Sequence, residues 1–559
     1  MLIFVDKPDF SSDPALSATR PHLANPPARL QALVTLLILT TVFGTIAAQL
    51  VRLGQRGDAM IPIAMADPVT VTHSRPDIVD RNGRLLATDV EVHSLYVDPA
   101  RVLDRDELVE KLGSVLDGLD EDGLRRELAD RNRRFLWIRR GLAPRVAQAV
   151  HDLGLPGLAF RKELRRAYPQ GRLAGHILGA VNADNRGISG IERHIDETTG
   201  IDAVQAARPP ERPPLRLSIE VAAQAGLEYE LADTMARLDA AGTAGAILDV
   251  VTGEIVAAAS LPSVEPGRAG EAVDPTHRDR LQGGTYEIGS IMKAFTIAMA
   301  LDGGGKALDT ILDVRTPIEV GRYTIKDLHP AGRPLTVSEI FTLSSNVGSA
   351  MLALDAGTSQ QQMFLARAGL LSGLRTEAGP VAPPQIPARW DKIETITISY
   401  GHGVAVAPLQ FLAAGAALVN GGFAVAPTYL RGSRAETATA TPEGRNRVIS
   451  ATTSAAIRKL MRLNVTEPSG TGRRAEVSGM EIGGKTGTAD VPGPRGYKSG
   501  RVISSFFAAF PMGAPRYAAL ITVFEPKPKA ETGGKVLAGV TAAPAAGRIL
   551  ARLGPILER

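Results

Sequence analysis

Tyr286-Glu287-Ile288-Gly289-Ser290-Ile291-Met292-Lys293-Ala294-Phe295-Thr296-Ile297-Ala298-Met299-Ala300-Leu301 is the stretch on which the reading of this chain turns. From Ser290 onward the spacing predicts a helix, because no Gly or Pro interrupts it and Ala, Met and Leu favour helical backbone. It is apolar nearly all round, the pattern of a helix enclosed by protein. Only Ser290, Lys293 and Thr296 break that surface. Ser290 and Lys293 stand three apart and so share one face. An ammonium in such surroundings loses hydration, its pKa falls, and the neutral amine can take the proton of a neighbouring hydroxyl. The plainer alternative is a helix start, with Ser290 as N-cap and Lys293 reaching outward. Further pieces elsewhere in the chain have to decide between the two.

The whole chain sets the frame. Its 559 residues suggest two to four domains, and 44% hydrophobic with 22% charged residues is a globular balance. A net charge of +4 and no aromatic-basic platform give no case for nucleic acid. Cysteine is absent, which excludes disulfides, thiolate metal sites and a Cys nucleophile.

Residues 1–29 are Pro-rich and read as a disordered tail. Residues 30–51 carry no charge and have the length of one bilayer crossing. A cleaved signal peptide would have a shorter apolar core, so an uncleaved anchor is expected, with a short cytoplasmic tail and the bulk outside. Residues 52–210 mix short strand-like and helix-like pieces. Asp77–Ala87 reads as two strands about an Asn82-Gly83 turn, and Val90–Val97 alternates like a strand. The basic run Arg161-Lys162-Glu163-Leu164-Arg165-Arg166 reads as a solvated face. Pro-rich residues 201–214 form a stiff connector and a domain boundary. Beyond it, from residue 215 to 559, a helix at Glu220–Leu238 precedes a hairpin turning near Thr252-Gly253. Two more strands, Val502–Phe510 and Tyr517–Phe524, precede a final helix at Pro544–Leu553. Strands at both ends with helices between predict an α+β domain, an antiparallel sheet packed by helices.

Two pieces answer the Ser290 helix. Leu343-Ser344-Ser345-Asn346-Val347-Gly348 is a Ser-x-Asn that, alone, would be a helix N-terminus. Ile482-Gly483-Gly484-Lys485-Thr486-Gly487-Thr488 is a Lys-Thr-Gly that, alone, would be a Gly-flanked turn. Gly479 and Gly484-Lys485-Thr486 also fit phosphate-loop spacing, but Gly487 and Pro492-Gly493-Pro494 forbid the helix that loop requires. Taken together, the pieces supply an acyl-transfer site. Ser290 is the nucleophile and Lys293 its base. Ser344 relays a proton to the departing nitrogen, and Asn346 positions Lys293 and the substrate amide. Lys485 adds positive charge, which further lowers the pKa of Lys293. Thr486 and Thr488 offer hydroxyls to a substrate carboxylate, Gly487 lets backbone approach, and the N–H groups of Ser290 and Thr488 form the expected oxyanion hole.

At these residues the chain resembles the class B penicillin-binding proteins, membrane-anchored peptidoglycan D,D-transpeptidases. Tyr286-Glu287-x-Gly289-Ser290-x-x-Lys293, Ser344-Ser345-Asn346-Val347-Gly348 and Lys485-Thr486-Gly487-Thr488 are similar to the three active-site motifs. Asp80-Arg81-Asn82-Gly83 and Gly187-Ile188-x-Gly190-Ile191-Glu192 are similar to motifs of the N-terminal pedestal. Ile398-Ser399-Tyr400-Gly401-His402-Gly403 with Pro408-Leu409-Gln410 resembles the septal, FtsI-type branch. The resemblance implies a penicillin-binding/transpeptidase fold over 215–559, an elongated mixed α/β pedestal over 52–210, one transmembrane helix over 30–51 and a cytoplasmic tail over 1–29. It adds Tyr286 and Ser345 to Thr486, Gly487 and Thr488 as substrate-binding residues. It implies peptidoglycan peptide stems as substrate, acylation of Ser290 by β-lactams, the bacterial inner membrane with the catalytic domain in the periplasm, and partnership with an FtsW-type glycosyltransferase and other divisome proteins. No nucleic acid, metal or cofactor is expected. Ile288 departs from the family's usual Pro, and the connector is short.

The alternatives are an elongation-type class B transpeptidase, a serine hydrolase of carboxypeptidase or β-lactamase kind, and a non-enzymatic sensor or scaffold. No Glu-x-x-Leu-Asn segment supplies a β-lactamase water base. A tail of 29 residues is too short for a signalling module, and a dead scaffold would be expected to have lost Ser290, Lys293 or Lys485. His402, lone in a Gly-rich loop, is read as structural.

Overall fold

The computed structural model describes residues 28–57, 75–199, 213–432 and 446–558, apart from 269, 272–273, 304 and 494–495. The expected tail (1–29) lies almost wholly outside these residues, and so does most of the connector. The chain divides into two units, Met1–Val71 and Thr72–Arg559.

Among the described residues of the first unit there is one helix, α1 (Ala28–Gly57), over the expected span. Its side chains are described over 33–49, and all of those are exposed, among them Leu36, Leu37 and Phe43. Among the described residues no helix is long and apolar enough to cross a membrane.

The second unit opens with β1 (Ile78–Val79) and β2 (Leu85–Val97), antiparallel about the Asn82-Gly83 turn. Asp80 fixes that turn by accepting the N–H groups of Asn82 and Arg84, each at 2.8 Å. β2 pairs antiparallel with β3 (Leu136–Leu142) and β4 (Leu158–Ala167). Helices α2 (Arg105–Gly113), α3 (Glu121–Glu127) and α4 (Pro144–Asp152) pack Leu108, Val109, Leu112, Leu124 and Val150 into one small core with Leu95 and Val97 of β2. Asp104 and Asp120 cap the first two of these helices through backbone N–H groups. Two further helices follow, α5 (Gly175–Leu178) and α6 (Gly190–Thr199).

The basic run is not one solvated face. It lies on β4, where Arg166 turns inward. Arg166 pairs with Glu192 of α6 at 2.7 Å and with Asp89 at 3.2 Å, and Arg75 pairs with the same Glu192 at 2.8 Å. Strand alternation sends every second side chain of β4 to the opposite face, so charge density alone does not show which member is buried.

Within this unit the residues before and after the Pro-rich stretch are interwoven. β5 (Leu215–Arg216) adds parallel to β1, Arg81 pairs with Glu254 at 2.7 Å, and Val221 N–H, at the start of the next helix, bonds Asp80 at 3.1 Å. That helix is α7 (Val221–Arg237), followed by β6 (Gly242–Asp249) and β7 (Ile255–Leu261). Then come β8 (Tyr286–Glu287), a 3-10 turn at Gly289–Met292, α8 (Lys293–Asp302), α9 (Val337–Thr342), α10 (Asn346–Ala356), α11 (Thr358–Arg367) and α12 (Lys392–Ser399). The chain continues through β9 (Ala405–Val406), α13 (Pro408–Val419), α14 (Ala451–Thr466), β10 (Gly483–Gly493), β11 (Gly496–Phe510), β12 (Tyr517–Phe524) and α15 (Ala542–Leu557).

The main sheet runs β10-β11-β12-β6-β7, antiparallel throughout. It is a middle layer with a core on each face. On β12, Ala518, Leu520 and Phe524 join the core of α8 and α13, while Tyr517, Ala519, Ile521 and Val523 join that of α7 and α15. Period-2 alternation with both faces apolar gives a run that is hydrophobic except at Thr522. Phe411 of α13 bridges Phe295 of α8 and Phe507 of β11, with ring centroids at 5.4 and 5.6 Å. A fully buried Phe contributes roughly 1.5–3 kcal/mol, so this stack fixes α8 on the sheet.

Candidate active site

The site forms where the edge strand β10 meets the start of α8. Close approach depends on two glycines. A Cβ on Gly487 would lie 2.5 Å from Ile288 O and 2.9 Å from Ile291 N, and one on Gly289 would lie 2.4 Å from Thr488 O. Gly289 also has φ +58, a left-handed conformation that suits it for the turn before Ser290. Lys485-Thr486-Gly487 therefore lies on a strand and not on a turn or phosphate loop, and its backbone lies beside that of Ser290.

Ser290, half-buried on the 3-10 turn, and Lys293, the first residue of α8, share the face foreseen. Lys293 is fully enclosed. Its Nζ lies 2.5 Å from Ser344 O, 3.1 Å from Ser344 Oγ and 2.7 Å from Asn346 Oδ1. Lys485 reaches Ser344 Oγ from the other side at 3.0 Å. Ser344 is held between them at φ +61, a conformation rare for a residue with a side chain. Ser290 Oγ makes no hydrogen bond among the described residues.

Burial pushes the Lys293 amine well below the ordinary lysine range, the Lys485 charge lowers it further, and Asp327 opposes the shift. Burial alone pushes Lys485 down to about 7. Burial disfavours the charged form of both amines and each charge repels the other, so the pair does not readily hold two charges. Lys293 Nζ donates to Ser344 O, Ser344 Oγ and Asn346 Oδ1, and Lys485 Nζ donates to the same Ser344 Oγ. The neutral Lys293 amine keeps two of these N–H donors and has one lone pair to accept a proton.

Some expected binders are turned elsewhere. Ser345 is buried and serves as N-cap of α10, donating to Asp327 Oδ2 at 2.7 Å and accepting Gly348 N–H at 2.9 Å. The left-handed turn at Ser344 rotates consecutive side chains to opposite sides, so only Ser344 meets the lysines. Thr486 is also buried, and its hydroxyl donates to Thr471 Oγ at 2.6 Å. Tyr286 packs its ring on Phe524 with centroids 4.8 Å apart, and its hydroxyl is enclosed. Thr488 is half-buried. Its hydroxyl accepts Ala538 N–H at 3.0 Å, which leaves its proton to donate outward. Asn346 Nδ2 donates to Lys326 O at 3.2 Å, fixing which end of the amide faces Lys293.

Three supporting residues gave no sequence signal. Asp327 accepts Asn346 N–H at 2.5 Å and Val347 N–H at 2.9 Å besides Ser345. Asn464 of α14 holds Gly484 O at 2.8 Å and Thr471 N–H at 3.2 Å. Phe341 of α9 places its ring 5.6 Å from Lys485 Nζ. All three lie outside the motifs and meet them only through the fold. His402 Nδ1 lies 3.1 Å from Glu287 Oε2, while Gly403 N–H donates to Oε1 of the same carboxylate at 2.7 Å. Together with the β8–β9 pairing, this ties the start of the Ser290 stretch to the 399–406 loop. Among the described residues no cluster of His, Asp or Glu could hold a metal ion.

Comparison with known proteins agrees with this geometry. Residues 243–546 match the family model of the penicillin binding protein transpeptidase domain, and residues 70–199 match that of the penicillin-binding protein dimerisation domain. The chain is 39% identical to the probable peptidoglycan D,D-transpeptidase FtsI of Caulobacter vibrioides over 87% of this chain and 82% of that protein. It is 30% identical to the probable peptidoglycan D,D-transpeptidase PenA of Neisseria gonorrhoeae, over 87% and 85%. It is also 30% identical to the peptidoglycan D,D-transpeptidase FtsI of Escherichia coli, over 86% and 83%. The fold is similar to that of penicillin-binding protein 2X from Streptococcus thermophilus, with a TM-score of 0.67 at 20% identity over 87% and 80% of the two chains.

Proposed function

The chain belongs to the penicillin-binding protein transpeptidases, and from that membership we propose that it is a serine peptidoglycan D,D-transpeptidase of the septal, FtsI type. One observation carries the reading above all. Two buried amines converge on the Ser344 hydroxyl beside the Ser290–Lys293 face.

In this reading Ser290 Oγ gives its proton to the neutral Lys293 amine and bonds the carbonyl carbon of the penultimate D-alanine. The oxyanion is held by the N–H groups of Ser290 and Thr488. The C–N bond then breaks, Ser344 Oγ delivers a proton to the departing D-alanine nitrogen, and the Lys293 ammonium replaces it. Water is not the acceptor. The amine of a second stem attacks the acyl-Ser290 ester and loses its proton to Lys293; the ester C–O bond breaks, Lys293 returns the proton to Ser290 Oγ, and a new peptide bond remains. Lys485 and the Thr488 hydroxyl hold the terminal carboxylate of the donor. A β-lactam enters the same path and stays on Ser290 because its leaving nitrogen remains tethered.

We divide the chain accordingly: tail 1–29, anchor 30–51, pedestal 52–210 and catalytic domain 215–559. The absence of charge over residues 30–51 is what supports a single membrane crossing. This anchors the enzyme in the bacterial inner membrane with its catalytic domain in the periplasm. Its partners are then an FtsW-type glycosyltransferase and other divisome proteins. Mass spectrometry of the penicillin adduct tests the chemistry. A long-lived acyl group on Ser290, absent from Ser290→Ala, is expected, while rapid turnover or another acylated residue refutes it. Deletion of residues 28–57 is expected to move the protein from the membrane to the soluble fraction. Depletion is expected to give filamentous cells; spherical cells would reassign the enzyme to elongation.

A further inference from the structure

Lys485 is fully enclosed, yet among the described residues it meets no carboxylate. Its protein hydrogen bonds go to Ser344 Oγ at 3.0 Å and Thr486 O at 3.3 Å. That accounts for two of the three N–H groups of an ammonium. The remaining electron-rich partner is the face of Phe341, with its ring centre 5.6 Å from Nζ. Phe341 is itself fully buried on α9, so both the ring and the cation are shielded from water. The same residue is tied to the site through its backbone, since its carbonyl accepts Ser344 N–H at 3.2 Å. The ring is therefore held at a fixed distance from both Ser344 and Lys485.

We propose that Phe341 is a positioning residue for the transfer reaction, holding Lys485 in its protonated form through the face of its ring. This rests on the assignment of Lys485 as the cation that binds the donor carboxylate and feeds Ser344. A desolvated ammonium gains more from an aromatic face than an exposed one. The other charged groups nearby do not do this work. Lys293 on α8 repels Lys485 when charged, and Asp327 is committed to Ser345 and the start of α10. On α9, Glu339 pairs with Arg333 at the exposed end. On α10, Asp355 pairs with Lys306 at the far end. On α14, Arg462 pairs with Glu476, Arg458 bonds Gly513 O, and Lys459 is exposed. The residue opposite Lys485 on β11 is Phe507, which carries no charge.

The sign follows from the roles. Transfer needs Lys293 neutral and Lys485 charged, so acylation rises with pH as Lys293 loses its proton and falls as Lys485 does. Without the ring, Lys485 releases its proton at lower pH. The test is the second-order rate of penicillin acylation of the full chain in detergent, measured across pH, for the parent, Phe341→Leu, Phe341→Met and Phe341→Tyr. The alkaline limb is expected to move down by about one pH unit in the Leu and Met variants. It is expected to stay in place in the Tyr variant, and the acid limb is expected to stay in all of them. The Met variant, close in volume, carries the test if Leu disturbs folding. A rate lowered equally at every pH, or an alkaline limb that stays or moves up, overturns the inference. Failure of the parent chain to take penicillin refutes the transpeptidase reading instead, so the two failures are distinct.

Discussion

Asp327 offers the sharpest test of how the site is held. The residue is 9% exposed, and its carboxylate accepts three hydrogen bonds, from Ser345 Oγ and from the N–H groups of Asn346 and Val347. Asp327→Asn keeps the shape and removes the charge. The new amide oxygen can still take both backbone N–H groups, and its NH2 can donate to Ser345 Oγ in place of receiving from it. What is lost is charge assistance at the N-terminus of α10, about 1–2 kcal/mol. If that strain falls on Asn346, which holds Lys293, acylation slows about 5- to 30-fold at 1.36 kcal/mol per decade. Asp327→Ala also abandons two backbone donors and should cost about 3–4 kcal/mol, with a correspondingly deeper loss. The pH profile gives a second readout. Asp327 raises the Lys293 pKa against the effects of burial and Lys485. Removing its charge lets Lys293 shed its proton at lower pH, so the acid limb of acylation moves down. Stopped-flow or gel-based acylation by a fluorescent penicillin across pH measures both effects, with thermal melting as the folding control. A parental rate with an unmoved acid limb in Asp327→Asn would refute this account.

Other substitutions report on separate parts of the structure. Gly487→Ala places a Cβ 2.5 Å from Ile288 O and 2.9 Å from Ile291 N. Because both neighbours are backbone, the strand must move away from Ser290, and acylation is expected to fall by at least tenfold in a penicillin-labelling assay while thermal stability drops only modestly. Asn464→Leu leaves Gly484 O and Thr471 N–H without their partner, which costs about 2–4 kcal/mol. Urea denaturation should show the loss, and labelling should slow because the strand carrying Lys485 is no longer tied to α14. Glu192→Leu strips the shared anion from Arg75 and Arg166. Leaving those buried guanidinium groups underpaired costs about 3–5 kcal/mol, so the melting temperature is expected to fall steeply. A melting curve matching that of the parent would show that the cluster is dispensable.

Local pattern carried much of this molecule. Asn82-Gly83 between short apolar runs announced the β1–β2 hairpin, and the largely apolar Tyr517–Phe524 run announced a strand whose ends the structure reproduces. The helix expected from Ser290 begins as a 3-10 turn, Gly289–Met292, and becomes α-helical at Lys293, with Ser290 and Lys293 still three residues apart across the junction. Their chemistry followed from residue type and from the apolar residues around them. The partners of those groups lay beyond the reach of pattern. Ser345 and Thr486 looked like substrate ligands and are turned inward, by the left-handed turn at Ser344 and by the hydroxyl of Thr471. Arg166 sat in a basic run and proved to be the buried member.

The sequence by itself determined which elements form, which of their faces are apolar, and that a serine and a lysine adjoin on an enclosed helix, since backbone propensity and periodicity act over a few residues. Only the tertiary structure decided that Lys485 and Lys293 close on Ser344 from opposite sides, that Phe341 lies over Lys485, and that Asp327 secures Asn346. Those contacts join segments far apart in the chain. They are set by strand order, by an edge strand that can approach a helix start because it carries glycine, and by core packing that leaves each buried polar group one place to find a partner.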